Sequence, residues 1–400
     1  MSNDPYIKKR KRQARMLSAR FLLMRVFPVK KNKIVFSSYE GDGGFCCNPR
    51  YIAEELHKQR PDLELVWLTK DINRVFPDYI TVKPYSSWSL AYQLSTARVW
   101  IDNYRKPFGT LKRKGQLYIQ TWHASIGFKA VGLYRGDAFP EIARLVSEWD
   151  ANLTDYVISN SEYCDRVYPK KLLYNGPTLR TGSPRVDCLI NDREKLHKMI
   201  RVKLGLPKET KLVLFAPTFR GGNQKGKKEV VSEIPQIDFS RLISELIQKF
   251  GGDWKVLLRL HPQLAAKMDK MPLLSEDERL IDVSQEPDMS EILGASDLLI
   301  TDYSSCAFDA AFAGIPVILF ADDIQEYKAN RGEFMWKRDE LPFSISENVE
   351  SLSESINQFD CNQYFENVRL FINKHAVLED GKSSNKLSSF ICNMISEERN

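Results

Sequence analysis

Two histidines follow short apolar runs of the sequence, at positions where a side chain can carry acid–base chemistry. His123 comes four residues after the run 117–119, and His261 comes three residues after the run 256–258. At a strand end beside a cleft, a histidine can act as a general base or donate a hydrogen bond to a phosphate. The alternative for each is a structural histidine with both ring nitrogens satisfied locally. The remaining histidines lie in charged helical stretches and are expected at the surface: His57, His197 and His375.

Three arginines lie close to predicted strand ends or to the segment that joins the two halves of the chain: Arg185, Arg220 and Arg259. A guanidinium group can bind a diphosphate through two parallel hydrogen bonds. Any one of these arginines alone would more often be a surface ion-pair partner. Their shared placement therefore favours a phosphate-binding site.

Residues 301–305, Thr-Asp-Tyr-Ser-Ser, precede a predicted helix over 306–313. Asp302, Ser304 and Ser305 are good capping residues, and free backbone N–H groups beside two hydroxyls can bind a phosphate. Capping alone would also explain this composition. A similar stretch, Asp-Gly-Lys-Ser-Ser at 380–384, precedes a predicted helix over 385–395. Lys382 can reach a phosphate there, or the stretch forms only a turn and a cap.

Short apolar runs alternate with longer helical stretches along the chain. They are 34–36, 63–68, 99–101, 117–119 and 156–158, then 212–215, 256–258, 298–300 and 317–320. Continuous apolar strands separated by helices indicate a parallel sheet that is buried on both faces. Two such sets predict an α/β protein with two Rossmann-like, doubly wound domains.

Polar residues follow nearly every predicted strand, and ligands of open α/β sheets bind beyond the carboxyl ends of the strands. We therefore expect an active-site cleft between the two domains. A segment rich in Gly, Pro, Ser and Thr at 174–184 predicts the domain boundary. The predicted division is an arm at 1–33, an acceptor-side domain at 34–178, a donor-binding domain at 179–370 and a helical segment at 371–400. No Gly-x-Gly-x-x-Gly follows a strand, so a dinucleotide cofactor is not expected.

The composition is that of a globular protein that is long enough for two domains. The 400 residues are 43% hydrophobic and 28% charged, with a net charge of +6. Seven cysteines without Cys-x-x-Cys spacing predict free thiols in a reducing compartment. No apolar run is long enough to span a membrane, and the N-terminus does not resemble a secretion signal. No cluster of residues resembles a metal site, which leaves open only Mg²⁺ carried by a diphosphate.

The segment 6–33 carries eleven lysines and arginines and no acidic residue. Residues 16–27 within it can form a short helix with an apolar face. Such a segment suits the anionic cytoplasmic leaflet of a membrane, where each cation contributes about 1 kcal/mol. Two alternatives stay open: a charged helix that packs on the domain, and a nucleic-acid-binding arm. The rest of the chain has no basic stripe with regular aromatics, so nucleic acid is not an expected partner.

Several motifs, in this order and spacing, resemble those of the CDP-glycerol glycerophosphotransferases, which build teichoic acids and related polyol-phosphate polymers. The resemblance covers residues 34–395. Its motifs are Asn-Pro-Arg-Tyr at 48–51, Gln-Thr-Trp-His at 120–123, Ala-Pro-Thr-Phe-Arg at 216–220, Arg-Leu-His-Pro at 259–262, Asp-Val-Ser at 282–284, and the stretches 301–305 and 380–384.

The resemblance implies a GT-B arrangement of two Rossmann-like domains, with CDP-glycerol or CDP-ribitol as donor. It implies a lipid-linked saccharide or polyol-phosphate acceptor and a peripheral position at the cytoplasmic face of the membrane. By similarity, His123 is the proposed base and His261 contacts the donor phosphates. The remaining residues matched to the donor site, together with those singled out above, are Ser125, Arg185, Thr218, Arg220, Arg259, Ser284, Asp302, Ser304, Ser305 and Lys382.

Two segments depart from the family pattern. The family's usual Gly-Thr-Pro-Leu-Lys after the first histidine is Ala-Ser-Ile-Gly-Phe-Lys at 124–129, and Glu-Phe-Met-Trp at 333–336 replaces an aromatic and acidic run. These departures leave open whether the polyol is glycerol or ribitol, and which acceptor is used. Two other functions also stay open: a GT-B glycosyltransferase with a nucleotide-sugar donor, and a membrane-docked scaffold with an inactive site.

Overall fold

The computed structural model describes residues 4–218, 237–260 and 277–396, with the backbone alone at 330–331. The chain forms two compact units. The first unit comprises Met1–Ser125, Val131–Asp187 and Leu378–Asn400, and the second comprises Ile126–Ala130 and Cys188–Val377.

The described part of the first unit is built on one seven-stranded sheet, with the order β3-β2-β1-β4-β5-β6-β7 and every pair parallel. The strands are β1 Lys30–Ser37, β2 Glu64–Thr69, β3 Ile80–Pro84, β4 Ala97–Asp102, β5 Leu117–Gln120, β6 Tyr156–Ser159 and β7 Thr178–Arg180. The helices are α1 Pro5–Met24, α2 Cys47–Gln59, α3 Ser87–Thr96, α4 Glu141–Leu153, α5 Glu162–Lys171, α6 Pro184–Asn191 and the last described helix, α14 Ser383–Ser396. From Cys188 onward, the residues of α6 belong to the second unit.

Successive side chains of β1 enter two different cores, because side chains of a strand alternate between the faces of its sheet. Ile34 and Phe36 join one core with α2 and α14, whereas Val35 joins the other with α1 and α3. Both faces are covered, which explains why the central strands are apolar at nearly every position.

The second unit holds a six-stranded parallel sheet among its described residues, with the order β10-β9-β8-β11-β12-β13. The strands are β8 Lys211–Ala216, β9 Trp254–Leu258, β10 Leu280–Asp282, β11 Leu298–Thr301, β12 Val317–Phe320 and β13 Ser344–Ser346. The helices are α7 Arg193–Lys203, α8 Phe239–Phe250, α9 Met289–Ala295, α10 Cys306–Phe312, α11 Ile324–Arg331, α12 Val349–Asn357 and α13 Cys361–His375.

The predicted α/β class with two Rossmann-like domains is confirmed, and each of the nine predicted runs is a strand. Four further strands were missed: β3, β7, β10 and β13. They are the edges of the two sheets. An edge strand has a neighbour on one side only and keeps more exposed residues, so it does not produce a continuous apolar run. The strand β7, for example, contains no buried residue.

The two units do not coincide with the predicted ranges. The first unit continues to Asp187, because β7 completes its sheet beyond residue 178. Residues from Leu378 onward return to the first unit, where Leu387 and Ile391 of α14 are fully buried in its core. Apolar periodicity reveals that α14 has a face to bury, but not which sheet receives it.

The basic N-terminal segment forms a longer helix than the predicted 16–27. The helix α1 runs over Pro5–Met24, and Asp4 caps it by accepting a hydrogen bond from the Tyr6 N–H. Leu17 and Phe21 pack into the core with Val35. One face of the arm is therefore packed on the domain, as one of the alternatives predicted.

Candidate functional site

His123 lies in the loop that follows β5, at the carboxyl edge of the first sheet. Its Nδ1 lies 2.8 Å from the carbonyl oxygen of Asn103, which follows β4. Since a carbonyl oxygen only accepts, Nδ1 carries the hydrogen of the neutral ring. The other nitrogen, Nε2, then holds the lone pair that a general base needs.

Aromatic rings surround the imidazole of His123. The Tyr104 ring is nearly parallel to it, with 5.7 Å between the ring centroids and 17° between the planes. The Tyr39 ring lies 5.3 Å away and the Trp122 ring 4.5 Å away. These rings limit the rotation of the imidazole and keep water from much of its surface, so that its environment favours the uncharged form.

The pKa of His123 is lowered from 6.5 to about 4, mainly because the ring is buried. The hydrogen bond to Asn103 acts in the opposite direction, while the positive charges of Arg185, Arg105 and Lys171 lower the pKa further. His123 is therefore neutral at physiological pH, and cations stand around it where an anionic substrate would be attracted.

The loop that carries His123 is strained and held in place by a buried asparagine. Trp122 has a φ of 51°, a left-handed conformation that costs about 1–2 kcal/mol for a residue with a Cβ atom. The Asn48 Nδ2 donates to the carbonyl oxygens of Thr121 and Trp122, at 3.3 and 3.0 Å. Its Oδ1 accepts from the Arg185 N–H at 3.1 Å. Asn48 thus joins α2, the histidine loop and the start of α6.

Lys171 supports the same loop from below. Lys171 is the last residue of α5 and is 2% exposed. Its Nζ donates hydrogen bonds to the carbonyl oxygens of Ala124 and Ser125, both at 2.8 Å. Burial lowers the pKa of this lysine to about 8. A buried ammonium group thereby holds the carbonyl groups of the two residues that follow His123.

Two of the predicted donor residues of the first unit lie in this neighbourhood. Ser125 is buried, with its Oγ 3.3 Å from the Ser183 Oγ. Arg185 is also buried; its Nη1 lies 3.7 Å from the Cys47 Sγ.

Lys382 has a different setting. It is exposed, and the N–H groups of Ser383 and Ser384 donate to the Asp187 carboxylate at 3.0 and 2.6 Å. The start of α14 is therefore capped by a carboxylate of the protein itself. This geometry corresponds to the turn-and-cap alternative for residues 380–384, and a role for Lys382 at the donor stays a prediction.

In the second unit, the predicted residues follow four strands that are neighbours in the sheet: Ser284 after β10, Arg259 after β9, Thr218 after β8 and Asp302 after β11. The Asp302 carboxylate accepts hydrogen bonds from the Thr218 N–H at 2.8 Å and from its hydroxyl at 2.5 Å. The Ser284 hydroxyl accepts from the Leu260 N–H at 2.9 Å. These bonds tie the loops at the carboxyl edge of the sheet to each other.

Arg259 donates from Nη1 to the carbonyl oxygen of Val283 at 3.1 Å. Ser304 and Ser305 are half-buried at the start of α10, where the Ser304 Oγ lies 3.5 Å from the Cys306 nitrogen. The structure thus places hydroxyls and a guanidinium at one edge of the second sheet. Arg220 and His261 lie outside the described residues, so their roles stay predictions.

Three supporting residues were not predicted from the sequence: Asn103, Lys171 and Tyr39. Asn103 contributes a backbone oxygen, which any residue could supply. Lys171 ends a helix beside Lys170, a pattern typical of solvated charge. Tyr39 has a left-handed φ of 47°, which the glycine-rich stretch after it did not indicate. Asn48 belongs to a recognised motif, but its anchoring bonds appear only in the folded chain.

In the parts of the chain that the structure describes, no group of three or more His, Cys, Asp or Glu side chains is arranged to hold a metal ion.

Two Rossmann-like sheets, one with a neutral strand-end histidine and the other with hydroxyls and an arginine at the same edge, are typical of enzymes that use nucleotide-linked donors. The particular family follows from comparison with known proteins. Residues 19–393 match the model of the CDP-glycerol:poly(glycerophosphate) glycerophosphotransferases, and the chain belongs to that family.

Curated relatives are similar over most of the chain. A teichoic acid poly(glycerol phosphate) polymerase of Staphylococcus epidermidis is 31% identical over 384 residues, which are 92% of this chain and 52% of that protein. The chain thus spans about half the length of this relative. A teichoic acid glycerol-phosphate transferase of Staphylococcus aureus is 30% identical, with 93% of this chain and 95% of that protein covered.

Solved structures show the same fold. A structure of the wall teichoic acid polymerase TagF, described as soaked with CDPG, has a TM-score of 0.81 and 28% identity, and covers 100% of both chains. A putative UDP-N-acetylglucosamine 2-epimerase from Listeria monocytogenes, with 18% identity and a TM-score of 0.51, shares the fold alone.

The environment of His123 predicts how it titrates. We expect half-protonation near pH 4 rather than at the ordinary 6.5, because burial and nearby cations disfavour the imidazolium. NMR titration of the imidazole resonances measures the pKa of His123. The resonances are assigned by their absence from the spectrum of His123→Asn. Arg105→Gln should raise the pKa. The unfolded chain takes up this proton at a higher pH than the folded chain does. The free energy of unfolding should therefore decrease as the pH falls from 6.5 towards 4. Titration near 6.5 would contradict this description of the site.

Proposed function

We propose that this protein transfers glycerol phosphate or ribitol phosphate from a CDP-polyol to a hydroxyl of a lipid-linked acceptor, in teichoic-acid or capsular polymer synthesis. The observation that carries the proposal is the neutral His123, whose Nδ1 is bonded to Asn103 and whose Nε2 has its lone pair available. Family membership supports the donor class. The relatives named for glycerol-phosphate and ribitol-phosphate transfer leave both polyols as candidates.

The reaction replaces one phosphorus–oxygen bond with another. The acceptor hydroxyl attacks the β-phosphorus of the CDP-polyol, His123 takes the hydroxyl proton at Nε2, and the bond to the bridging oxygen breaks. CMP leaves with the electron pair of that bond, and a phosphodiester is formed. Such a phosphoryl transfer depends mainly on positioning and on stabilisation of the developing charge.

A bound donor would also improve the base. In the free protein, Arg185, Arg105 and Lys171 all disfavour a proton on His123. The negative charges of a diphosphate offset those cations, which raises the pKa of His123 towards neutrality when the donor is present. His123 is then a stronger base with the donor bound than without it. In the empty site its low pKa limits the uptake of a proton from solvent.

The second sheet supplies the donor side of the proposal. Arg259 and the hydroxyls of Thr218, Ser284, Ser304 and Ser305 bind the diphosphate and the departing CMP, together with Arg220 and His261. Asp302 has a separate task, because its carboxylate repels phosphate and already accepts from Thr218 and from the Tyr303 N–H. It holds the loop after β8, and the Thr218 hydroxyl must turn away from Asp302 before its single hydrogen can be donated to a phosphate.

Membrane contact belongs to the same proposal, because the acceptor is lipid-linked. At the end of α1, Leu22, Leu23, Val26 and Phe27 are exposed, and Val26 is 80% exposed. Arg20 and Arg25 lie among them. Exposed apolar side chains interleaved with cations fit an anionic membrane surface, and this apolar end of α1 docks the protein there. No helix in the described ranges is long and apolar enough to cross a membrane.

The direct test replaces the base. His123→Ala should abolish polyol-phosphate transfer while CDP-glycerol binding changes little, because the donor phosphates are held by other groups. Mass spectrometry of a short lipid-linked acceptor incubated with CDP-glycerol or CDP-ribitol identifies the product and the preferred donor. Binding of UDP- and GDP-sugars is measured in parallel. His57→Ala on α2 is the matched control and should keep full activity. Near-normal turnover by His123→Ala would contradict the assignment of His123 as the general base.

Lys171 is expected to act as a positioning residue. Lys171→Met keeps the length of the side chain but leaves two carbonyl oxygens without their donor, so the loop behind His123 can shift. We expect kcat to fall by about 10- to 100-fold, as for misplacements near 1 Å, with little change in CDP-glycerol affinity. Lys170→Met, at the exposed neighbouring position, is the control. If the folded Lys171→Met enzyme keeps the wild-type kcat, Lys171 does not position the loop.

Membrane docking can be tested by sedimentation with vesicles that contain phosphatidylglycerol. Leu22→Ser combined with Val26→Ser should weaken binding by about tenfold or more, because each buried apolar side chain contributes about 1.5–3 kcal/mol. Val202→Ser removes a similarly exposed apolar group, 73% exposed, from the second unit and should leave binding unchanged. Equal vesicle binding by all variants would exclude the apolar end of α1 as the docking surface.

A further inference from the structure

The carboxylate of Asp150, on α4, binds groups from β5 and from the loop that follows β4. Its Oδ1 accepts hydrogen bonds from the Lys106 N–H at 2.7 Å and from the Tyr118 hydroxyl at 3.0 Å. Its Oδ2 accepts from the Gln120 Nε2 at 3.3 Å. Asp150 is 5% exposed. Among the described residues, the groups that donate to this buried carboxylate are all uncharged.

Gln120 connects Asp150 to the loop that carries His123. Its Nε2 donates to the Tyr104 carbonyl oxygen at 2.9 Å as well as to Asp150, and its Oε1 accepts from the Trp122 N–H at 2.9 Å. Acceptors on one side of the amide and an N–H on the other side define its orientation. Gln120 thus joins the loop after β4 to the residue that precedes His123.

Trp122 needs this support, because its left-handed φ of 51° is strained. Its N–H donates to Gln120, and its carbonyl oxygen accepts from the Asn48 Nδ2 at 3.0 Å. The strained residue is therefore held on both sides, and His123 follows it directly. Loss of either bond lets the backbone relax, and the His123 ring then moves relative to the Asn103 carbonyl oxygen.

The charge on Asp150 disfavours the folded state. Burial raises the pKa of its carboxyl from 3.8 to about 6, and the charge of Asp102 acts in the same direction. The hydrogen bonds from Lys106 and Tyr118 oppose the rise, and so does the charge of Arg105, which lines a small cavity beside Asp150. A charge that disfavours folding, in contact with the residue that holds the histidine loop, indicates a functional role.

Other ionisable groups lie near Asp150 in the loop after β4, in β5 and in the segment before α3. The Lys106 ammonium group is paired with Asp102 at 2.7 Å, and both side chains are buried. Burial raises the pKa of the Tyr118 and Tyr85 hydroxyls well above its ordinary value, so both stay uncharged. Asp150 is the carboxyl of this cluster whose pKa is raised to about 6.

We propose that Asp150 is a positioning residue for the general base His123. Its carboxylate holds the loop after β5 through Gln120, and the loop after β4 through the Lys106 N–H. An ionised carboxylate accepts on both oxygens, whereas protonation turns one oxygen into a donor that faces the donors around it. The effect on catalysis rests on the proposed function, and the effect on the imidazole does not.

The first test follows the imidazole nitrogens of His123 by NMR in the protein without donor. In the wild type, the share of the tautomer with hydrogen on Nδ1 should fall as the pH falls through about 6, before the ring itself takes up a proton near pH 4. Asp150→Asn should show the lower share at every pH and lack this transition. A wild-type ring without a change near pH 6, or identical spectra of the two proteins, would overturn the proposal.

The second test measures kcat and KM with CDP-glycerol. Asp150→Asn should lower kcat about tenfold or more with little change in KM, because a misplaced base slows the chemical step while other groups hold the donor. Gln120→Leu removes the connection and should lower kcat to a similar extent. Since both residues act through one connection, the double variant should lose little more than the worse single variant.

Asp155→Asn is the matched control. Asp155 accepts from the Tyr118 N–H at 2.7 Å, near the start of β5 rather than at its end. The His123 resonances and kcat should stay as in the wild type, and thermal unfolding shows that each variant is folded. A folded Asp150→Asn protein with the wild-type kcat, or losses that add in the double variant, would contradict the proposal. If the wild type releases no CMP, the proposed function fails, and the NMR titration still decides the role of Asp150.

Discussion

The hydrogen bond between His123 and the Asn103 carbonyl oxygen determines what the first unit can do. It decides which ring nitrogen holds the proton, and so leaves the other nitrogen as a base. That bond requires two loops, after β4 and after β5, to meet within 2.8 Å. Parallel strands side by side bring their carboxyl ends together, so the sheet itself supplies this meeting. The chemistry therefore depends on a backbone atom that the fold delivers.

A buried ion pair joins the end of β4 to the loop that follows it. The free-energy cost of removing its two charges from water must be offset by hydrogen bonds to neighbouring groups. Asp102 and Lys106 form an ion pair of 2.7 Å in which both side chains are almost completely buried, and Ser37 bonds to both of them. Removal of one partner from such a pair typically costs about 3–5 kcal/mol, because the other charge stays buried. The pair lies on either side of Asn103 in the sequence. The residue whose carbonyl oxygen bonds to His123 is thus flanked by a buried ion pair.

The helix α1 shows how one element can serve packing and interaction together. Its buried face completes a core of the first unit, which explains why apolar residues recur along it. Its exposed residues differ in kind along its length, with cations in the first turns and apolar groups at its end. A simple amphipathic pattern does not reveal this division, because periodicity describes a face of a helix and not its length.

The sequence by itself determined the class of fold, the central strands and the family. Strands buried on both faces must be apolar throughout, and the short motifs carry polar groups at strand ends, so both are visible in one chain. The tertiary structure alone decided the edge strands, the return of α14 to the first sheet, and the burial of Lys171 beneath Ala124 and Ser125. Each of these depends on which surfaces meet, and local composition does not specify that. A lysine at the end of a helix is typical of solvated charge, and only the packed loop above Lys171 makes it a support for His123.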